Sequence, residues 1–215
     1  SMNNRQERKL LTRQSLMQAA LQWVEEGEHI TNLSIREVAK RAGVVPTAFY
    51  RHFRDVDDLT LNLVDELSKV LRQLMREVRQ NRSDLQALIQ DSLGLYSDYV
   101  FRHRVFFVFL AQALTGGTPL VRQAIRSELQ YFANELATDL RRLGLLTNLD
   151  QAMLENVAQL TITTVANATV ELLDLPEGNA VARQQFEIRI KRHLQIIMLG
   201  AAHWQLVNPT QNTAK

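Results

Sequence analysis

Ser34 to Phe53 reads SIREVAKRAGVVPTAFYRHF, and two short helices with a glycine between them are written into it. Ser34-Ile-Arg-Glu37 is a capping-box pattern, in which the serine hydroxyl and the glutamate carboxylate answer free amides at a helix start. Ile35, Val38, Ala39 and Ala42 recur at helical spacing, and Gly43 closes that helix. Pro46 suits the first turn of the next helix, expected over about Val45 to His52, because its missing N–H would be unpaired there anyway. Ala48, Phe49 and Phe53 can then pack while Thr47, Tyr50, Arg51 and His52 stay accessible. A helix-turn-helix of this kind lays its second helix in the DNA major groove and its first across the backbone. Two core helices with a polar outer face would show the same pattern.

Working outward, residues 5–26 carry Leu16, Ala20, Trp23 and Val24 on a helical stripe that Gly27 ends, giving a supporting helix. Downstream, Asp55-Val-Asp-Asp58 opens another helix with acids at its positive end. The stripe Leu59, Leu63, Leu67, Leu71, Leu74 and Val78 makes that helix long. Further helical patterns cover about 83–101, 104–114, 118–143, 149–174 and 180–205, with no alternating strand pattern and no internal repeat. The expected fold is all-α: a three-helix head (1–54), joined by the long helix to a helical effector-binding and dimerisation body (55–207), then a polar, flexible tail (208–215).

Composition narrows the function. The chain has 215 residues, 46% apolar and 22% charged, with eight Gly and four Pro, as a helical globular protein should. Cysteine is absent, which removes disulfides, thiolate metal sites and a cysteine nucleophile, and suits a reducing cytoplasm. No membrane-spanning run or signal-peptide core stands out. Nine basic residues against five acidic ones give residues 1–54 a surplus of four positive charges; 16 against 18 leave the remainder two negative. A basic head beside a near-neutral body points to an anionic partner for the head.

The residue chemistry of the head fits double-stranded DNA. Thr47, Tyr50 and His52 can hydrogen-bond phosphate, and Arg51 can pair with phosphate or a guanine edge. Ser34 and Arg36 can hold a second phosphate at the helix start, while Val45, Pro46 and Thr47 open the recognition helix, where thymine methyls and base edges lie. In the body, Tyr99, Phe101, Phe106, Phe109, Leu110, Leu114, Phe132 and Leu136 could line an apolar cavity or form solid core. Thr161 and Val165 could face that cavity, or Thr161 could bond its own helix. An alkyl chain would suit such a space, each buried methylene contributing about 0.8 kcal/mol. Val157, Leu160, Val165, Ala168 and Leu172, with Phe186, Ile190, Leu194, Ile197, Ala201 and Trp204, form two stripes that could pair across a two-fold axis as a four-helix bundle.

Enzyme readings find little support. The five histidines form no HExxH pair, Gly116-Gly117 lacks the Lys-Ser/Thr of a phosphate loop, and no GxSxG elbow is present. Asp55, Asp57 and Asp58 fit a helix N-terminus better than a magnesium site. No catalytic residue, metal ligand or cofactor is assigned. An acyl-handling enzyme and a DNA-binding architectural protein are the other classes; turnover of an acyl thioester would mark the first, and ligand-independent, weakly specific binding the second.

The segments Arg13…Leu16…Ala19-Ala20…Trp23, Ser34 to Val44 and Phe49-Tyr-Arg-His-Phe53…Leu59 resemble the TetR family of bacterial one-component regulators. The resemblance implies a homodimer, one DNA-binding head per subunit, a palindromic operator and a ligand pocket in the body. Val45 stands where a capping Ser or Thr is frequent, and Val56 where a Lys often meets phosphate; Arg5, Arg8 and Lys9 could compensate from the N-terminal arm. A narrower likeness, in Ala42 to Leu59 (most closely Pro46 to Arg54), Leu71 to Gln80 and Phe106 to Leu140, is to the family's repressors of unsaturated fatty-acid synthesis. It implies a long acyl chain on coenzyme A or acyl carrier protein as effector. Ala111-Gln-Ala113 departs from the Arg-Glu-Arg usual in that subgroup, which leaves the ligand open. A TetR-type regulator of an efflux or catabolic gene, induced by another small hydrophobic compound, is the alternative.

Overall fold

A computed structural model of the chain describes residues 3–80 and 84–207; the tail expected at 208–215 lies outside them. The described residues are helical, without a strand. The helices are α1 (Asn4–Glu25), α2 (Ile35–Ala42), α3 (Pro46–Phe49), α4 (Val56–Gln80), α5 (Leu85–Arg102), α6 (Arg104–Gly116), α7 (Pro119–Arg142), α8 (Gln151–Asp174), α9 (Ala180–Ala202) and α10 (Trp204–Val207), with a 3₁₀ turn at Ile30–Asn32. The chain divides into two compact units. A head unit comprises the residues up to Lys69 together with His103–Arg126, and a body unit comprises Val70–Arg102 and the residues from Ser127 on. These units are cut differently from the division expected at residue 54, because α6 and the start of α7 fold with the head.

In the head unit, α1 packs on α2 and α6, and α2 on α3. Its buried apolar residues include Leu16, Ala20, Val38, Phe49, Phe53 and Leu59, all within 2% of complete burial. The Ser34 hydroxyl accepts the Glu37 amide at 3.2 Å, which is the first half of the expected capping box. The Glu37 carboxylate is taken up by Arg41 Nε at 2.9 Å. Gly43 terminates α2 with φ of 71°, a left-handed conformation that costs glycine little.

The second helix of the motif is shorter than expected. α3 ends at Phe49, and Arg51 and His52 donate to carbonyls three residues back, at 3.2 and 2.9 Å. The chain thus tightens into turns over 50–52 and frees those side chains from helical register. At α4, the Asp55 carboxylate accepts the Asp58 amide at 2.8 Å, Asp57 accepts from the Thr118 hydroxyl at 2.8 Å, and Asp58 accepts the Arg54 amide at 2.9 Å. These three acids are helix-start and tertiary acceptors, and among the described residues no cluster of potential metal ligands occurs.

In the body unit α9 packs on both α5 and α8. One expectation is corrected here. Val157, Leu172, Phe186, Ile190, Leu194 and Ala201, read from sequence as a face for a second subunit, are buried within the single chain. The mutual packing of α5, α8 and α9 covers them. Of the expected stripe Leu160 does stay exposed; the other exposed large apolar residues of these helices are Val170 on α8, and Val181, Ile188, Ile196 and Leu199 on α9.

Also in the body unit, the end of α4 is joined to α7 by ion pairs of Arg72 with Glu128, Arg76 with Glu135, and Arg79 with Asp139. Residue numbers rise together on both helices, so the two segments run parallel. Arg79 is the most buried of the three arginines, with 4% of its side chain exposed against 17% for Glu135 and Asp139. Arg79→Ala should therefore cost about 1.5–3 kcal/mol by removing the buried cation between Glu135 and Asp139, which keep only Arg76 and Arg142. The pair Arg79→Met with Asp139→Leu should recover most of that. Urea denaturation measures both, and a single variant as stable as the parent would contradict the buried-pair account.

Candidate nucleic-acid interface

Seven of the eight residues expected at DNA are exposed on the head. Ser34, Arg36, Val45, Pro46, Thr47, Tyr50 and Arg51 are all exposed, Val45 and Tyr50 by 65% and 61%. An exposed valine and tyrosine beside an arginine present apolar and donor groups together, the combination that base edges and phosphates use. Val45 makes no side-chain cap to α3, as its lack of a hydroxyl dictates. Tyr50 stands edge-on to the buried Phe49 ring at 5.8 Å, so its ring is anchored while its hydroxyl faces outward.

His52 differs from the rest. It is half-buried, its Nδ1 is enclosed and has no hydrogen-bond partner, and its ring lies 6.4 Å from that of Phe53. Burial first, and then the charges of Lys9, Arg13 and Arg51, hold its pKa below the ordinary histidine value. Lys9 and Arg13 belong to α1, so the supporting helix brings positive charge to the recognition segment.

The positive surplus of the head is not all available to a ligand. Arg41 makes a bidentate pair with Glu26 at 2.8 and 2.7 Å, and its guanidinium lies 5.2 Å from the Trp23 ring centre. Those bonds raise its pKa and tie α2 to the end of α1. Arg13 reaches Asn62 at 2.8 Å and Glu66 at 3.3 Å while lying 4.9 Å over the Phe53 ring. Both cations are internal braces, and nothing in their sequence spacing distinguishes them from Arg36 or Arg51, which stay exposed.

The candidate effector residues divide between the two units. Phe106, Phe109, Leu110 and Leu114 lie on α6 in the head unit, where Phe106 meets Phe107 edge-on at 5.3 Å and Phe109 is fully buried. Tyr99, Phe101, Phe132, Leu136, Thr161 and Val165 belong to the body unit. Phe101 lies beneath the Arg183 guanidinium at 4.5 Å, burial raises the pKa of Tyr99, and Thr161 donates to the Val157 carbonyl at 2.8 Å. Phe132 is half-buried and Leu136 buried on α7.

A cavity of about 10 Å³ between α5, α8 and α9 is lined by Val165, Ser97, Thr169, Phe186 and Glu187, among others. Of the ten expected residues Val165 alone lines it. Sequence reasoning missed Ser97, whose buried hydroxyl has no partner, because a serine within a helix normally bonds its own backbone. As it stands, this cavity has about the room of one water molecule.

The geometry predicts an acid-sensitive head. A histidine whose pKa is lowered by folding contributes stability that is full above its unfolded value, near 6.5, and is lost as pH falls through the folded value. His52→Gln should flatten the loss of stability between about pH 8 and about pH 5, followed by thermal melting. The same slope in both proteins would rule out His52 as its source.

Comparison with known families and structures agrees with this geometry. Residues 25–63 match the model of the bacterial regulatory proteins of the tetR family. Residues 85–197, more than half the chain, match the tetracyclin repressor-like C-terminal domain. Among solved structures, a TetR-family transcriptional regulator of Syntrophomonas wolfei is 16% identical, with 88% of this chain and 95% of that one covered and a TM-score of 0.72. A transcriptional regulator of Pseudomonas aeruginosa is 16% identical, covering 94% and 95%, at 0.68. The fatty acid degradation regulator FadR of Bacillus halodurans is 14% identical, covering 89% and 94%, at 0.65. Identities this low show a shared fold. With both family models matched, the chain belongs to the TetR family of transcriptional regulators.

Proposed function

We propose that this regulator is a homodimeric repressor whose head, residues 1–54, reads a palindromic operator and whose body, residues 55–207, takes a long-chain acyl thioester. The exposed cluster of Arg36, Val45, Thr47, Tyr50 and Arg51 carries the DNA part of this reading. Ser34, Arg36, Tyr50 and His52 set register on phosphates. Val45, Pro46 and Thr47 meet thymine methyls and base edges, and Arg51 pairs with a guanine edge or a phosphate. A two-fold dimer would set its recognition segments about 34 Å apart, one turn of DNA. Such a regulator works where the chromosome is, in the bacterial cytoplasm.

Exposed apolar residues on α8 and α9, Leu160, Ile188, Ile196 and Leu199 among them, support the dimer, since a partner packed on them would take that surface out of water. Likeness to the unsaturated-fatty-acid repressors over Pro46 to Arg54 supports the lipid effector, as does the name of the Bacillus halodurans relative. The effector would act by binding one arrangement of the dimer more tightly than another, with α4 as the continuous element running from head to body.

Selection of genomic fragments on the purified protein at a stated salt concentration tests the proposal. A palindrome beside lipid-synthesis genes is expected; one beside a transporter or catabolic gene would overturn the lipid effector, and no enriched site would overturn the operator. On a selected site Arg51→Ala should weaken binding by about 1–3 kcal/mol if Arg51 reads a base; equal affinity would remove that role. Leu160→Glu with Ile196→Glu should yield monomers in sedimentation, and an intact dimer would place the interface elsewhere.

A further inference from the structure

α6 is tied to the loop that leads into α2. Gln112 accepts the Ile30 amide proton at 3.0 Å through Oε1 and donates to the Glu28 carbonyl at 3.3 Å through Nε2. An amide side chain is the group suited to this task, because it offers one acceptor and one donor side by side to two backbone groups of opposite kind. The two bonds also fix which end of the Gln112 amide is which: the oxygen faces an N–H and the nitrogen faces a carbonyl.

Three further contacts hold the same loop. The Trp23 indole donates to the His29 carbonyl at 2.9 Å, and the His29 ring accepts the Thr31 amide proton at 3.3 Å. At the end of α6 Gly116 meets the His29 ring so closely that an added Cβ would stand 2.9 Å from His29 Cε1. The 3₁₀ turn at 30–32 is thus seated between α1 and α6, and Ser34 begins α2 two residues beyond it.

We infer that Gln112 is a positioning residue for DNA reading: its amide clamps the 28–30 loop and thereby sets where α2 presents Ser34 and Arg36. The inference rests on the reading of Ser34 and Arg36 as phosphate contacts. α6 lies in the chain between α5, in the body unit, and α7, which ends there. Gln112 is the central residue of Ala111-Gln-Ala113. An uncharged amide can serve both peptide groups, whereas a carboxylate has no proton for the Glu28 carbonyl.

Gln112→Ala and Gln112→Glu in the full-length protein test this by two readouts. Amide hydrogen exchange reports the clamp at Ile30, and titration of a selected operator fragment reports positioning. Gln112→Ala should speed exchange at Ile30 and weaken operator binding, each about tenfold, the effect of losing one or two hydrogen bonds, with little change in melting temperature. Gln112→Glu keeps the acceptor for Ile30 and loses the donor to Glu28, so Ile30 protection should persist while operator affinity falls. Unchanged Ile30 exchange in Gln112→Ala would overturn the clamp. Faster exchange with unchanged operator affinity would leave Gln112 a structural contact and overturn the positioning role. Failure of the phosphate assignment would appear separately, as full operator affinity in Ser34→Ala and Arg36→Ala while Gln112→Ala still frees the Ile30 amide.

Discussion

The recognition segment depends on a core it cannot supply itself. A helix of four residues is far below the length at which backbone hydrogen bonding sustains a helix in water, so α3 holds its shape through Phe49 and Phe53. Both rings are buried within 2%, lie 5.6 Å apart, and close the head together with Leu16, Val38 and Leu59. Once those rings are fixed, the alternate side chains Thr47, Tyr50 and Arg51 have no course but outward. The exposed chemistry of the head is thus a consequence of where its aromatic residues are buried.

Charge in this protein does two separate tasks. Arg13, Arg41, Arg72, Arg76 and Arg79 brace helices against one another through carboxylates and aromatic rings. Arg36 and Arg51 remain exposed and add to the field that draws an anionic duplex. The separation explains how a chain with a net charge of only +2 can offer a positive surface: much of its cationic complement is neutralised locally, and the exposed part of the head is not.

Much of the fold was legible in the sequence because its signals were local. The Ser34 cap, the stop at Gly43, Pro46 opening α3 and Asp55 and Asp58 opening α4 each act within a few residues, and each stands where expected. The length of α3 was not legible, since the shift to turns at Tyr50 arises from packing of Phe49 and Phe53. The surface of α8 and α9 was misread for a different reason. Both helices carry an apolar stripe that packs within the chain and a second that stays exposed, and periodicity alone cannot say which stripe meets which neighbour. Gln112 was invisible as a functional residue because its partners are backbone groups some eighty positions away. Such a contact leaves no pattern in the sequence.

The central claim, that the outward face of residues 34–52 is where this regulator meets DNA, is tested most directly by hydrogen exchange of the full-length protein with and without a duplex carrying its selected site. The account predicts that the duplex slows exchange over Ser34 to Phe53 and leaves α8 and α9 unchanged. Slowing confined to the body, or none in Ser34 to Phe53 at saturating duplex, would contradict it.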